Sequence, residues 1–153
     1  MLRAQLNDAL KTAMLGKDTR TVATVRLILA ALKDRDIAAR PRGLSDGIPD
    51  EEILQMLQSM IKQRRESIIL YEQGGRLELA EQEAEEITVI ERFLPRQMTA
   101  DEVAAAIESV IADLGATGIK DMGRIMAALK ERYAGRMDFA RASATVKARL
   151  GAA

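Results

Sequence analysis

Glu83 and Glu86 are the two side chains whose type and spacing come closest to a catalytic or metal site, because they stand one helical turn apart. Helical di-metal sites usually combine glutamate with histidine on facing helices, and this sequence contains no histidine. An all-carboxylate site suits Mg²⁺ or Mn²⁺ poorly without a substrate phosphate to share the ion. We therefore interpret Glu83 and Glu86 as a solvent-exposed acidic helix face, and we predict no metal and no cofactor.

Other catalytic chemistry is limited by composition. The 153 residues include neither cysteine nor histidine, which excludes thiol nucleophiles, Cys/His zinc sites and imidazole acid–base catalysis. The segment Gly115-Ala116-Thr117-Gly118 lacks the Gly-Lys-Ser/Thr signature of a phosphate-binding loop and is better read as a helix end followed by a turn. We predict no catalytic residue, and a protein that binds its partner rather than transforming it.

The charged residues are unevenly distributed. Lysine plus arginine and aspartate plus glutamate both number 23, which argues against a general polycation. Residues 1–49 nevertheless carry +4, residues 50–98 carry −5, residues 99–115 carry −4 and residues 116–153 carry +5. Two interpretations of the basic stretches are possible: a solvated helix face whose charges pair with the acidic stretches, or a surface that binds nucleic acid. Charge alone favours the first. Arg64 falls between Ile61 and Ile68, so we expect it to bridge to acids on a neighbouring helix.

The hydrophobic pattern predicts an all-α protein, with about four helices in residues 1–94 and a three-helix module in residues 95–153. Apolar residues recur at steps of three and four, as in the stripe Val22, Val25, Leu29 and Leu32, and no stretch alternates with period two. The helix boundaries are indicated by Gly16, by an Asp18 or Thr19 cap, by Pro49-Asp50, by Gly74-Gly75, by Pro95, by a Thr99–Glu102 capping box, by Gly115 and by Asp138. Residues 38–47 read as a mobile loop.

No apolar run approaches the roughly 20 residues of a membrane span, and the first residues lack the apolar core of a secretory signal. The sequence therefore predicts a cytoplasmic protein without a membrane partner.

Several short motifs occur in a characteristic order. They are Lys17-Asp18 and Arg26-Leu27 near the start, Gly75-Arg76-x-x-Leu79-Ala80-x-x-Glu83-x-x-Glu86-Ile87 in the middle, Phe93-Leu94-Pro95-Arg96-Gln97 at the break, and Asp121-Met122-Gly123, Gly135-x-x-Asp138 and Val146-Lys147-x-x-Leu150 in the tail. In this order and spacing the chain resembles the stand-alone YqeY-like proteins of bacteria, the GatB/YqeY group, over essentially its whole length. Phe93, where tyrosine is frequent, and Val25, where leucine is usual, are mild departures.

The resemblance implies a module similar to the tail of GatB, the tRNA amidotransferase subunit, where it helps to hold tRNA and carries no active site. Such proteins are associated at family level with carbon–nitrogen ligases that use glutamine as amido donor, but no residue here is assignable to that chemistry. Our leading hypothesis is a tRNA-binding accessory protein that contacts the RNA backbone. The predicted phosphate contacts are Lys120, Arg124, Lys130, Arg132, Arg136, Lys147 and Arg149, with Arg26 and Lys33 as weaker additions.

Two alternatives remain open. One is a protein–protein module that docks onto an amidotransferase, an aminoacyl-tRNA synthetase or a translation factor. The other is an enzyme with a carboxylate-held metal, or with the ligase activity of the family label.

Overall fold

The structure, a computed structural model, describes residues 1–151, and within that range its regular secondary structure is helical, without a β-strand. The prediction of an all-α protein is confirmed. Short 3-10 helices occur at Arg40–Arg42 and Ile119–Asp121. The seven α-helices are α1 (Leu2–Leu15), α2 (Thr19–Ala39), α3 (Asp50–Gln73), α4 (Leu77–Glu91), α5 (Ala100–Leu114), α6 (Met122–Arg132) and α7 (Phe139–Gly151). None of these helices is both long enough and apolar enough to cross a membrane.

The helix ends follow the local signals of the sequence. Asp18 caps α2 by accepting a hydrogen bond from the Thr21 backbone N–H at 3.2 Å. Thr99 and Glu102 form the predicted capping box at the start of α5, and Asp138 accepts from the first backbone N–H groups of α7. These side chains satisfy donors that have no partner inside the helix. Helix α4 ends at Glu91, four residues before the boundary predicted at Pro95.

The helices pack as two compact units, Met1–Pro95 and a second unit that begins at Arg96. That each unit is a domain able to fold alone stays a prediction. The core of the first unit is built by α1 to α4. On α2 the buried face differs from the predicted stripe: Thr24, Val25 and Ile28 are fully buried, whereas Val22 and Leu29 are only half-buried. Two predicted positions thus lie at the margin of the buried face.

A polar network in the first unit joins the start of α1 to the end of α2 and to the segment before α3. The Arg3 guanidinium donates to both oxygens of Asp36 at 2.6 and 2.7 Å and to the Ile48 carbonyl at 2.9 Å, and Asp36 also accepts from the Ile48 backbone N–H. These bonds connect α1, the end of α2 and the segment before α3. Part of the segment predicted as a mobile loop is the 3-10 helix Arg40–Arg42.

The second unit has its own core, formed by the inward faces of α5, α6 and α7. Ile107 and Val110 of α5 meet Ile125 and Leu129 of α6 and Val146 of α7, and all are almost completely buried. The half-buried aromatic rings Tyr133 and Phe139 pack against this core. The three helices therefore hold the basic residues of the chain's last third on a fixed frame.

Candidate nucleic-acid interface

The predicted basic residues of the second unit are carried by the 3-10 helix Ile119–Asp121 and by α6, α7 and their connection. In α6, Ile125 and Leu129 point into the core, so Arg124 and Lys130 fall on other sides of the helix and are exposed. In α7, Val146 and Leu150 are buried and their neighbours Lys147 and Arg149 are exposed. Helix packing therefore brings the outward residues of both helices to the surface of one unit.

The arginines of this set are held by contacts inside the unit. Arg132 pairs with Asp113 at 2.9 Å, and Arg149 pairs with Glu108 at 2.6 Å, so α6 and α7 are each linked to the acidic outer face of α5. Arg124 donates to the Leu114 carbonyl at 2.8 Å, at the C-terminal end of α5 where unpaired carbonyl groups favour a cation. These three arginines serve the packing of α5.

Arg136 differs from the other predicted arginines because it is half-buried. Its Nε donates to the Arg96 carbonyl at 3.2 Å, while its backbone carbonyl accepts from the Met98 N–H at 2.9 Å. The residue thereby fastens the segment before α5 to the α6–α7 connection. A role of any of the four arginines in phosphate binding stays a prediction.

The lysines of the same unit have a different environment. Lys120, Lys130 and Lys147 are exposed, and within residues 1–151 none of them lies within 4.0 Å of a carboxylate. Arg141 on α7 is also exposed and forms no ion pair in that range. The arginines pair with much of the acidic charge of α5, and these four cations are left at the surface without an ion-pair partner in that range.

One acidic group is fixed in the middle of this basic region. Asp121 accepts backbone hydrogen bonds from Thr117 at 3.0 Å and Gly118 at 3.4 Å. These bonds, the Thr117 bond foremost, hold the pKa of the Asp121 carboxyl below its ordinary value. Asp121 therefore stays ionised at neutral pH and fixes the turn that carries Lys120.

The two weaker candidates belong to the first unit. Arg26 and Lys33 lie seven residues apart on α2, and both are exposed without an ion pair within the described residues. Arg26 lines a shallow apolar groove of about 560 Å³ beside the α1–α2 turn. Their contribution to nucleic-acid binding stays a prediction.

The interpretation of Glu83 and Glu86 as a solvent-exposed face is wrong. Glu86 is buried and Glu83 half-buried, because they precede the buried Ile87 and Ile90 by four residues and so lie on the inward side of α4. Arg64 of α3 lies with its Nε 3.0 Å from Glu86 and 4.0 Å from Glu83. The prediction that Arg64 bridges to acids on a neighbouring helix is thus confirmed. The spacing of the glutamates to Ile87 and Ile90 was the signal that could have revealed their burial.

This cluster is electrostatically unbalanced, with two carboxylates facing one guanidinium. Burial, followed by the neighbouring Glu86 charge, raises the pKa of the Glu83 carboxyl, and Arg64 offsets only part of that rise. No group of three or more acidic, cysteine or histidine side chains within residues 1–151 is arranged to hold a metal ion. The cluster acts as a polar contact between α3 and α4.

The sequence profile of the YqeY-like protein family matches residues 3–150, which confirms the resemblance. Three fungal relatives are each named altered inheritance of mitochondria protein 41, mitochondrial. The protein of Kluyveromyces lactis is 30% identical over 72% of this chain and 59% of its own length. That of Eremothecium gossypii is 33% identical over 74% and 61%, and that of Lachancea thermotolerans is 34% identical over 72% and 56%. The chain thus spans less than two thirds of these relatives.

These comparisons bear on two expectations. The prediction of a cytoplasmic protein is contradicted, because the relatives are named as mitochondrial proteins. Composition and the missing signal pattern carried that prediction, and neither encodes a compartment directly. The relatives are fungal, so they give no support to a bacterial origin. The fold, the motif order and the family match agree over nearly the whole sequence, and the chain belongs to the family of YqeY-like proteins.

Proposed function

We propose that this protein binds the phosphate backbone of a structured RNA such as tRNA, as an accessory factor without catalysis of its own. The single observation that carries the proposal is a set of exposed cations on the second unit that form no ion pair within residues 1–151, namely Lys120, Lys130, Arg141 and Lys147. Lysine ammonium groups act as mobile point charges toward phosphate, and such contacts supply most of the affinity in binding that does not depend on base sequence.

The aromatic residues favour backbone contact over base reading. The rings of Tyr133 and Phe139 pack against the core of the second unit. Recognition of splayed bases depends on aromatic or guanidinium planes that are free to stack on them. Arg132 and Arg149 are held by acids of α5, and among the arginines of α6 and α7 Arg141 alone forms no ion pair within residues 1–151. The chemistry that remains is electrostatic contact with phosphates in a helical RNA, read through its shape.

The salt dependence of binding tests this proposal. Fluorescence anisotropy of labelled tRNA, titrated with the full chain over a series of salt concentrations, gives the observed binding constant. Each phosphate contact contributes about 0.9 to the slope of log K against log salt, so four cations predict a slope of about −3 to −4. Affinity in the range typical of binding without sequence specificity, about 10⁻⁴–10⁻⁶ M, is expected.

A matched pair of variants locates the contacts. Lys130→Gln combined with Lys147→Gln removes two charges from the proposed surface. Lys11→Gln combined with Lys62→Gln removes two exposed charges from the first unit, neither of which forms an ion pair among the described residues. The first double variant should lose about 60-fold in affinity at about 0.1 M salt and about 2 units of slope. The second should bind as the original protein does. Equal losses in both, or no RNA binding at low salt, would refute the proposal.

A single comparison on α7 separates lysine from arginine. Lys147→Gln should lower the slope by about 1, whereas Arg149→Gln should change it less, because Arg149 is already paired with Glu108. A larger effect at Arg149 would show that this pair opens when RNA binds.

A further inference from the structure

The α1–α2 turn and the α3–α4 turn lie at the same end of the first unit. The opposite end is fixed where the Leu2 backbone N–H reaches Asp50 at 3.4 Å and Arg42 pairs with Glu52 at 2.9 Å, so α1 and α3 begin side by side. The α1–α2 turn and the α3–α4 turn therefore point the same way. Arg20, at the start of α2, pairs with Glu85 of α4 at 2.9 Å. Helix α4 begins eight residues before Glu85, and each helical residue adds about 1.5 Å. The α3–α4 turn therefore projects roughly 12 Å beyond the start of α2.

The projecting turn exposes a group of large apolar side chains, which we name the α3–α4 tip: Ile69, Leu70 and Leu77. Leu70 is 69% exposed and Leu77 is 66% exposed, and large apolar side chains exposed as a group are typical of an interaction surface. Around the tip lie Glu66, one turn before Leu70, and Glu81, one turn after Leu77. Both glutamates are exposed and form no ion pair within the described residues. The tip is an apolar knob with a negative border.

The α1–α2 turn, which projects less, carries the complementary surface. The α1–α2 groove is a recess of about 560 Å³ lined by Met14, Lys17, Thr19, Val22, Ala23 and Arg26. Its charged lining residues are both cationic, and both are exposed without an ion pair in the described part of the chain. Leu15 beside it is 87% exposed. The groove is thus an apolar recess with a positive border.

We infer that two copies of this chain form a two-fold symmetric dimer in which the α3–α4 tip of each copy occupies the α1–α2 groove of the other. Knob and groove lie at the same end of the unit, so one two-fold rotation makes both contacts at once. The knob projects beyond its own groove, which lets it overlap the partner when the two ends meet. Apolar side chains then cover each other while Glu66 and Glu81 approach Lys17 and Arg26, the arrangement that speeds and orients association.

Sedimentation of the full chain, treated with nuclease, over micromolar to near-millimolar concentrations tests the dimer. A reversible monomer–dimer equilibrium is expected. Leu70→Ser should raise the dissociation constant by about 100-fold or more, because the leucine is lost from both contacts. Ile37→Ser is the matched control, since Ile37 is 45% exposed on α2 away from both surfaces, and it should leave the equilibrium unchanged.

Charge reversal identifies the pairing. Arg26→Glu and Glu66→Lys should each weaken self-association, because each places like charges together in both contacts. Mixing the two variants should restore it, because in the mixed dimer one contact is native and the other is reversed on both sides. Both substitutions are at exposed positions, and unchanged far-ultraviolet circular dichroism verifies folding. A chain that stays monomeric at every concentration, or a dimer insensitive to Leu70→Ser and Arg26→Glu, overturns the inference.

Discussion

Replacement of Arg64 by methionine removes the only cation that contacts the Glu83–Glu86 pair among the described residues. The Arg64 and Glu86 side chains are 14% and 11% exposed. At their 3.0 Å separation and an effective dielectric constant of about 20, the gross attraction is about 5–6 kcal/mol. Some hydration returns to Glu86 in the variant, since its side chain is not fully enclosed. We therefore expect a loss of about 2–4 kcal/mol in the stability of α3 and α4.

Hydrogen–deuterium exchange read by mass spectrometry suits this measurement, because it reports α3 and α4 separately from α5 to α7. A loss of 2–4 kcal/mol corresponds to roughly a 30-fold to 1,000-fold fall in protection where exchange follows the opening equilibrium. Arg65→Met is the control. Arg65 is 67% exposed and its Nη2 lies 3.9 Å from Glu91, so its loss should cost under about 1 kcal/mol.

The pH dependence gives a second measurement of the same substitution. Burial already raises the pKa of Glu83 in the original chain, so its carboxyl favours the folded state most when protonated, and that contribution is lost as the pH rises through the folded pKa. Without Arg64, lowering the pH toward that value should therefore reduce the defect. Adding Glu86→Gln to Arg64→Met should recover part of the loss at neutral pH. Equal protection in Arg64→Met and Arg65→Met would refute the reasoning.

Two further substitutions test other parts of the fold. Asp36→Asn leaves Arg3 without its carboxylate and should cost about 1–3 kcal/mol at neutral pH in urea denaturation. The Arg3 hydrogen bonds lower the pKa of Asp36 in the folded protein. The carboxylate therefore stabilises the fold fully above the ordinary carboxyl pKa, and this stabilisation is lost as the pH falls through the pKa of the folded state. A defect of Asp36→Asn that does not change on acidification would contradict this. Gly115→Ala should cost about 1–2 kcal/mol in thermal unfolding, because φ is 62° there, whereas Gly118→Ala, at φ −162° and also in open space, should cost far less.

The parts of the fold that the sequence predicted are those determined by near neighbours. The Thr99–Glu102 capping box, the Asp18 cap and the Gly115 helix end each depend on residues within one turn. The pairing of Arg64 with acids of a neighbouring helix was also predicted, because a cation beside an apolar stripe needs a carboxylate partner when it is buried. Burial of a glutamate depends instead on what the facing helix supplies. The prediction of a solvent-exposed acidic face used only the charge of Glu83 and Glu86. Their register with the core residues of α4 places both side chains on the inward side of that helix.

The candidate interface shows the same division between local and tertiary information. Counting charges predicted seven equivalent contacts in the tail, but the pairing of Arg149 with Glu108 and of Arg132 with Asp113 depends on how α6 and α7 cross α5. No spacing within one helix encodes that crossing. The apolar groove near Arg26 was missed for a related reason, since its lining comes from the end of α1 and the start of α2.

The balance between arginine and lysine explains how a chain with no net charge can still present a positive surface. A guanidinium offers a planar set of donors that matches a carboxylate or a helix-end carbonyl, so arginine is the cation that tertiary contacts retain. In the second unit Arg124, Arg132 and Arg149 are retained in this way, and Arg141 is the exception. An exposed ammonium gains little from a single surface pair, and Lys130 and Lys147 are exposed. Formal cancellation over 153 residues therefore hides a local excess, and the excess includes exposed side chains that form no ion pair within residues 1–151.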